Sequence, residues 1–312
     1  MTIDLLSPAQ PLKIGTRGSP LALAQAHETR DRLAVAFGLP PEAFEIVVIK
    51  VTGDAIQDKA LREIGGKGLF TREIEDALLA GQIDIAVHSM KDMPTVQPAG
   101  LILDCYLPRE DVRDAFVSAH HAGLDDLAPG AVIGTSSLRR RAQLLHRRPD
   151  LKVVEFRGNV QTRMKKLADG VAEATFLAMA GLNRLGLSQV TRGAIDPAVM
   201  LPAVAQGAIG IERRADDAVV AGMLAGVNDA DTAIRLTAER AFLARLDGSC
   251  QTPIAGLAVL EGNTVWLRGE ILRPDGSRVL SGERRGPASA GAEMGRDLAD
   301  ALLGQAGPGF FD

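Results

Sequence analysis

The chain has 312 residues, 46% of them hydrophobic, 24% charged and 4% aromatic, with a formal net charge of −4. That length suits two or three domains rather than one core. The charge gives no general attraction for nucleic acid or an anionic membrane, and so few aromatics argue against a base-stacking surface. The two cysteines make no disulfide framework, no Cys/His spacing of a metal site occurs, and no apolar run is long enough to span a bilayer. Met1 to Pro8 lack a basic region followed by an apolar stretch, so no secretory signal and a reducing, cytoplasmic location are expected.

Up to about residue 210 short strands alternate with helices. Leu12-Lys13-Ile14 reads as a strand, and Ser19-Pro20 supplies an N-cap and first-turn proline for a helix running to Phe37. Glu45 to Val51, rich in β-branched residues, is a second strand. Phe70 to Ala80 is helical and stopped by Gly81, and Ile83 to Val87 is a third strand. Similar units recur at Ala131-Val132-Ile133, Val153 to Phe156 and Ala174 to Leu177. The pattern predicts α/β domains with largely parallel sheets, with a hinge at Pro108-Arg109-Glu110-Asp111. After residue 228 a long helix is expected from Asp231 to Leu246. Strands at Ile254 to Val259, Thr264 to Leu272 and Arg278 to Gly282 follow, then a helix from Ala288 to Leu303. That is a smaller α+β domain with an antiparallel sheet.

The two cysteines differ in kind. Cys105 lies in the apolar run Leu101 to Leu107 and reads as core, whereas Cys250 follows Asp247-Gly248-Ser249 in a turn that leaves its thiol reachable. Three strand-to-helix turns are unusual: Thr16-Arg17-Gly18-Ser19, Gly134-Thr135-Ser136-Ser137-Leu138-Arg139-Arg140, and Arg157-Gly158-Asn159-Val160-Gln161-Thr162-Arg163. Each puts hydroxyl or amide side chains and arginine at a helix N-terminus, where free N–H groups and the helix dipole favour an anion. Arg184, after the strand ending at Leu177, is a further candidate. Arginine outnumbers lysine 27 to 8, so many arginines, Arg141, Arg147 and Arg148 among them, belong to the solvated surface. The turn arginines stand apart because other donors accompany them. Phosphate and polycarboxylate both fit; no phosphate-binding glycine motif is present, and planar arginine pairs well with carboxylates.

The third strand runs into His88-Ser89-Met90-Lys91-Asp92-Met93-Pro94, which places polar side chains at a ligand-facing edge. Asp92 is a candidate acid/base or cation stabiliser, or equally a turn aspartate paired with Lys91. His88 reads as a hydrogen-bonded structural residue. Asp54 to Gly68, with glycines near its end, reads as a mobile loop able to cover a cleft.

Taken together these segments resemble the porphobilinogen deaminase (hydroxymethylbilane synthase) family. The resemblance rests on Gly15 to Leu23, Gly65-Gly66-Lys67-Gly68-Leu69-Phe70, Asp84 to Asp92 and Gly134 to Arg140. It continues through Arg157-Gly158-Asn159-Val160, Gln206-Gly207-Ala208 and Gly248-Ser249-Cys250-Gln251, in order along nearly the whole chain. It implies a dipyrromethane cofactor held by a thioether on Cys250, to which four porphobilinogen units are added one at a time. Each unit loses ammonia to give an electrophilic azafulvene that the free α-carbon of the growing chain attacks, and hydrolysis releases the linear tetrapyrrole.

Every pyrrole carries an acetate and a propionate, so the growing chain is a polycarboxylate. The resemblance assigns Lys91, Ser137, Arg139, Arg140, Arg163 and Arg184 to the cofactor, and Arg17, Ser19, Arg157 and Gln206 to the substrate. Asp92 becomes the catalytic carboxylate and Lys67 a lid cation. Two lobes like those of a periplasmic binding protein are implied, with mixed, largely parallel sheets, and a C-terminal domain that carries the cofactor. The expected bounds are residues 1–107 with 206–226, 108–205 and 227–312. A monomer that passes its product to uroporphyrinogen-III synthase is also implied, with no nucleic-acid or membrane partner and no metal. The chain departs from the family at Glu63, where lysine is frequent, with Arg62 beside it, and at Ala205, where glycine is common. Two other readings remain: an anion-binding module without catalysis, and a cysteine hydrolase using Cys250 and His88. The first leaves Cys250 and the Lys91-Asp92 edge without a role. The second lacks a nucleophile at a helix start.

Overall fold

A computed structural model describes residues 6–52, 71–248 and 252–311. Along the chain run β1 (Leu12–Arg17), α1 (Pro20–Phe37), β2 (Phe44–Ile49), α2 (Arg72–Leu79), β3 (Ile85–Ser89), β4 (Leu101–Tyr106), β5 (Asp114–Ser118) and β6 (Val132–Gly134). Then come α3 (Leu138–Arg147), β7 (Lys152–Val154), α4 (Val160–Ala168), β8 (Ala174–Ala178), α5 (Met179–Arg184), β9 (Gly193–Ala194), β10 (Ile209–Arg214) and α6 (Ala218–Ala225). The last elements are α7 (Ala230–Arg245), β11 (Ile254–Glu261), β12 (Thr264–Leu272), β13 (Val279–Pro287) and α8 (Gly291–Ala306). The described residues divide into two compact units, one of residues 6–52, 71–110 and 208–233, the other of 111–207, 234–248 and 252–311.

The first unit is built on a sheet of order β2-β1-β3-β10-β4. β1 pairs parallel with β2 and β3, while β10 pairs antiparallel with β3 and β4. In β1 the alternation of buried Leu12 and Ile14 with exposed Lys13 fixes which face meets the core. Leu12, Ile14, Ile85, Val87, Ile209 and Ile211 pack against Ala26 and Leu33 of α1 on that face, and Ile83 and Ala86 against Ile74, Ala77 and Leu78 of α2 on the other. Ser19 accepts the Ala22 N–H to open α1, and Gly38, at φ 62°, closes it in the left-handed conformation that glycine adopts without strain.

The second unit repeats that sheet plan as β7-β6-β8-β5-β9, again with two parallel and two antiparallel pairings. Its other sheet is the antiparallel β11-β12-β13. There Gly256, Gly269 and Gly282 stand side by side in register. A Cβ on Gly269 would sit 2.6 Å from Phe242 Cζ and 3.0 Å from Leu298 Cδ2, so the glycine trough is what lets the Phe242 ring of α7 and α8 lie on the sheet. Gly295 of α8 likewise approaches the Ala238 carbonyl of α7 too closely for any side chain.

Candidate active site

In the first unit the singled-out residues lie at the C-terminal ends of the neighbouring strands β1 and β3, where open α/β sheets hold ligands. Arg17 is half-buried, and Ser19 caps α1 next to it. β3 ends at Ser89 and turns through a short 3-10 turn, Met90–Asp92. The turn is anchored from below: Met90 is buried and its N–H donates to the Ala208 carbonyl at 3.0 Å. Gly210 of β10 leaves the room for it, because a Cβ there would stand against Met90 Sδ and 3.0 Å from its Cγ. Lys91 is half-buried. Asp92 is exposed, and its carboxylate has no hydrogen bond or ion pair among the described residues. The Lys91–Asp92 pairing is therefore not formed.

Two polar pairs stand beneath this turn. Ser89 and Gln25, the latter buried on α1, are joined side chain to side chain at 2.8 Å. His88 Nε2 lies 3.2 Å from Glu212 Oε2, both buried, so His88 has the structural role expected of it. Cys105 is buried too; burial pushes its thiol up to about 12, and it is inert at neutral pH. The other cysteine, Cys250, lies outside the described residues, as do Lys67, Glu63 and Arg62.

The second group sits at the C-terminal ends of β6, β7 and β8. After β6, Ser137 caps α3 through the Arg140 N–H, and Ser136 Oγ accepts the Phe156 N–H at 2.9 Å. A side chain at Gly134 would collide with the Phe156 ring. After β7, half-buried Arg157 precedes Gly158 at φ 118°, and Asn159 caps α4 by accepting the Thr162 N–H at 2.9 Å. Lys166 reaches back to the Arg157 carbonyl at 3.0 Å and lies over the Phe156 ring. Arg163 is half-buried on α4; Arg184, half-buried at the end of α5, donates to the Gly207 carbonyl at 3.2 Å.

Arg139, Arg140 and Gln206 are different: they are 4%, 5% and 1% exposed, and all three converge on Asp114. Gln206, assigned to the substrate on resemblance, donates its amide to Asp114 and to the Val112 carbonyl. Asp114 itself was not singled out in the sequence, and neither was Gln25. The available signal for Gln25 was a polar residue in the buried stripe Ala22, Ala26, Thr29, Leu33 of α1. For Asp114 it was an acid opening the apolar run Ala115-Phe116-Val117.

Comparison with known sequences decides the family. Residues 12–222 match the family described as "Porphobilinogen deaminase, dipyromethane cofactor binding domain", and residues 233–304 match "Porphobilinogen deaminase, C-terminal domain". The chain belongs to the porphobilinogen deaminase family. It is 72% identical over 305 residues to the porphobilinogen deaminase of Paracoccus denitrificans, covering 98% of this chain and 97% of that protein. It is 54% identical to the chloroplastic porphobilinogen deaminase of Oryza sativa, covering 96% of this chain and 86% of that protein. Among solved structures, the methionine-binding protein MetQ aligns with a TM-score of 0.42 and 14% identity, covering 72% of this chain and 93% of that one. The residues present fit the cofactor named for this family's first domain. A dipyrromethane carries an acetate and a propionate on each ring, and in the second unit the turns after β6 and β7 offer capped helix N-termini with arginines. The buried Nε of Arg139 still has no hydrogen-bond partner among the described residues.

Proposed function

We propose that this chain is a hydroxymethylbilane synthase: it deaminates four porphobilinogen molecules, joins them head to tail on a dipyrromethane primer held by Cys250, and releases the linear tetrapyrrole by hydrolysis. The observation that carries the reading is Asp92, in the turn after β3, an exposed carboxylate with no hydrogen bond or ion pair among the described residues. When bound, the dipyrromethane supplies the free α-carbon that is extended. Asp92 meets the positive charge that develops on a pyrrole ring as ammonia leaves and as the new carbon–carbon bond forms, and it guides the proton on the ring nitrogen. A carboxylate already neutralised by an arginine would do this poorly. Arg17 and Ser19 bind and orient the incoming substrate's carboxylates from the end of β1, with Arg157 doing so from β7. Ser137, Arg139, Arg140, Arg163 and Arg184 hold those of the primer, Lys91 assists, and Lys67 acts as the lid cation.

Among the described residues no helix is long and apolar enough to cross a membrane. The reading includes a cytoplasmic monomer whose product passes to uroporphyrinogen-III synthase, with no nucleic-acid or membrane partner. The test is intact-mass measurement of the purified protein together with turnover of porphobilinogen. The mass should exceed that of the sequence by a two-pyrrole unit, and Cys250→Ser should remove the excess. Protein at the bare sequence mass that still turned over porphobilinogen would overturn the assignment. Asp92→Asn should keep the adduct and bind porphobilinogen, while turnover falls on the order of a hundredfold or more. A rate near that of the unsubstituted protein would remove Asp92 from the chemistry.

A further inference from the structure

Asp114 opens β5 and is 0% exposed. Its Oδ2 accepts from Arg139 Nη2 at 2.8 Å. Its Oδ1 accepts from Arg140 Nε at 3.2 Å, Arg140 Nη2 at 2.7 Å and Gln206 Nε2 at 2.9 Å. Burial alone would push this carboxyl's pKa up. The adjoining Arg139 and Arg140 guanidiniums, with the N–H groups of Arg140 and Gln206, more than reverse that and hold it well below the usual carboxylate range. Asp114 is thus ionised at any working pH and bonded to two arginines at once.

The remaining bonds of the two guanidiniums are equally directed. Arg139 Nη1 donates to the Leu201 carbonyl and to Gln143 Oε1, each at 3.0 Å, and Arg140 Nη1 to the Phe176 carbonyl at 2.7 Å. Gln143 in turn reaches Glu270 at 2.9 Å. Two cations thus share the one carboxylate they contact at the N-terminus of α3, beside the Ser137 cap, while the Glu270 carboxylate acts on Arg139 from beyond Gln143. Holding two such groups rigidly in this way is how a site avoids reorganisation when a carboxylate arrives.

We infer that Asp114 is a positioning residue for the cofactor: it sets the orientation of Arg139 and Arg140 toward the cofactor's carboxylates, with Gln206 acting through Asp114 rather than on the substrate. The inference rests on the proposed function, since it presumes that these arginines serve the dipyrromethane. Asp114→Asn keeps the shape, removes the charge and turns an NH2 group toward guanidinium donors. Asp114→Glu keeps the charge and adds one methylene.

The test compares unsubstituted protein, Asp114→Asn and Asp114→Glu by intact mass, by thermal melting and by kinetics with porphobilinogen, all well below the melting temperature of each. Apoprotein of Asp114→Asn incubated with porphobilinogen should gain the two-pyrrole mass at least about tenfold more slowly than unsubstituted apoprotein. Once loaded, it should show a KM raised by about as much with kcat within about threefold, and Asp114→Glu should recover part of the loading rate. Loading and KM unchanged in a folded Asp114→Asn protein would overturn the inference. If Asp114→Asn does not fold, the decision passes to Asp114→Glu: slowed loading supports the inference and unaltered loading overturns it. Absence of the adduct from the unsubstituted protein is a different result, and it refutes the proposed function itself.

Discussion

Glu239 provides the sharpest test of how the second unit holds together. It is buried on α7, with Oε2 accepting the Ala205 N–H at 2.7 Å and Oε1 the Ala258 N–H at 2.8 Å. β11 is an edge strand, and an edge leaves a row of N–H groups without a ladder partner. One of them, from Gly256, is taken by the Pro202 carbonyl at 3.0 Å. The chain then bends away at Ala205, whose φ is 60°, and Glu239 fills the place the backbone has left. Glu239→Ala strands two buried donors at about 1–3 kcal/mol each, so a loss of about 3–5 kcal/mol is expected once partial relaxation is allowed. Glu239→Gln retains one acceptor and turns an NH2 toward the other N–H, for a loss of about 2–3 kcal/mol.

The assay is urea unfolding followed by tryptophan fluorescence. The chain has one tryptophan, Trp266 on β12, in the same sheet as β11 and directly opposite Val259. With a denaturant slope of about 1–3 kcal/mol/M, the midpoint of Glu239→Ala should fall by at least about 1 M, with Glu239→Gln between it and the unsubstituted protein. A midpoint moved by less than about 0.3 M in the alanine variant would refute this account of the edge, as would a glutamine variant as stable as the unsubstituted chain.

Ala205→Gly should be neutral or stabilise by up to about 1 kcal/mol. Relief of an L-residue at positive φ, about 1–2 kcal/mol, is offset by the greater freedom of glycine in the unfolded chain. A clear fall in Tm would show that the left-handed turn carries no strain. Glu75, buried on α2, has its carboxyl pushed above the ordinary range, by burial above all, with the Glu212 carboxylate adding to it. A raised carboxyl binds its proton more tightly in the folded state, so the favourable contribution is complete at acid pH and is lost as pH rises through the raised value. Glu75→Gln should therefore raise Tm relative to the unsubstituted protein at neutral and alkaline pH, with the gain shrinking toward pH values near the ordinary carboxyl range. A difference in Tm that does not vary with pH would count against it.

Much of this was legible in residue order. The alternation of strands and helices, the cap at Ser19, the burial of Cys105 and the terminal antiparallel sheet all follow from local signals: periodicity, turn chemistry and apolar runs. Of the polar run His88 to Asp92 only Asp92 is exposed, since His88 is buried on Glu212 and Ser89 is bonded to buried Gln25. What local signals could not carry is the membership of β10 in the first sheet and of β5 in the second, because each of these strands runs antiparallel to a neighbour remote in sequence. Buried acids fail for the same reason. Asp114, Glu212 and Glu239 each look solvated in a linear reading, since Arg139, His88 and Ala205 lie far along the chain from the carboxylate each one contacts. Gln206 shows the same limit: its amide meets Asp114, 92 residues away along the chain.

The other acids among the described residues bear on the role proposed for Asp92. Fixed donors meet the buried acids of this chain: two guanidiniums at Asp114, and the Ala205 and Ala258 N–H groups among the partners of Glu239. At Glu75 burial dominates instead, and the carboxyl is pushed up. Any of these would blunt a carboxylate meant to meet a transient cation, because an anion already matched to a donor gains little when positive charge develops nearby. Among the described residues Asp92 has none of these partners. Its turn is fixed through the backbone of Met90 and the space over Gly210, so the carboxylate itself need bond to nothing in order to be held in place. The sheet supplies position and leaves the charge available, which is the division a cation-stabilising residue requires.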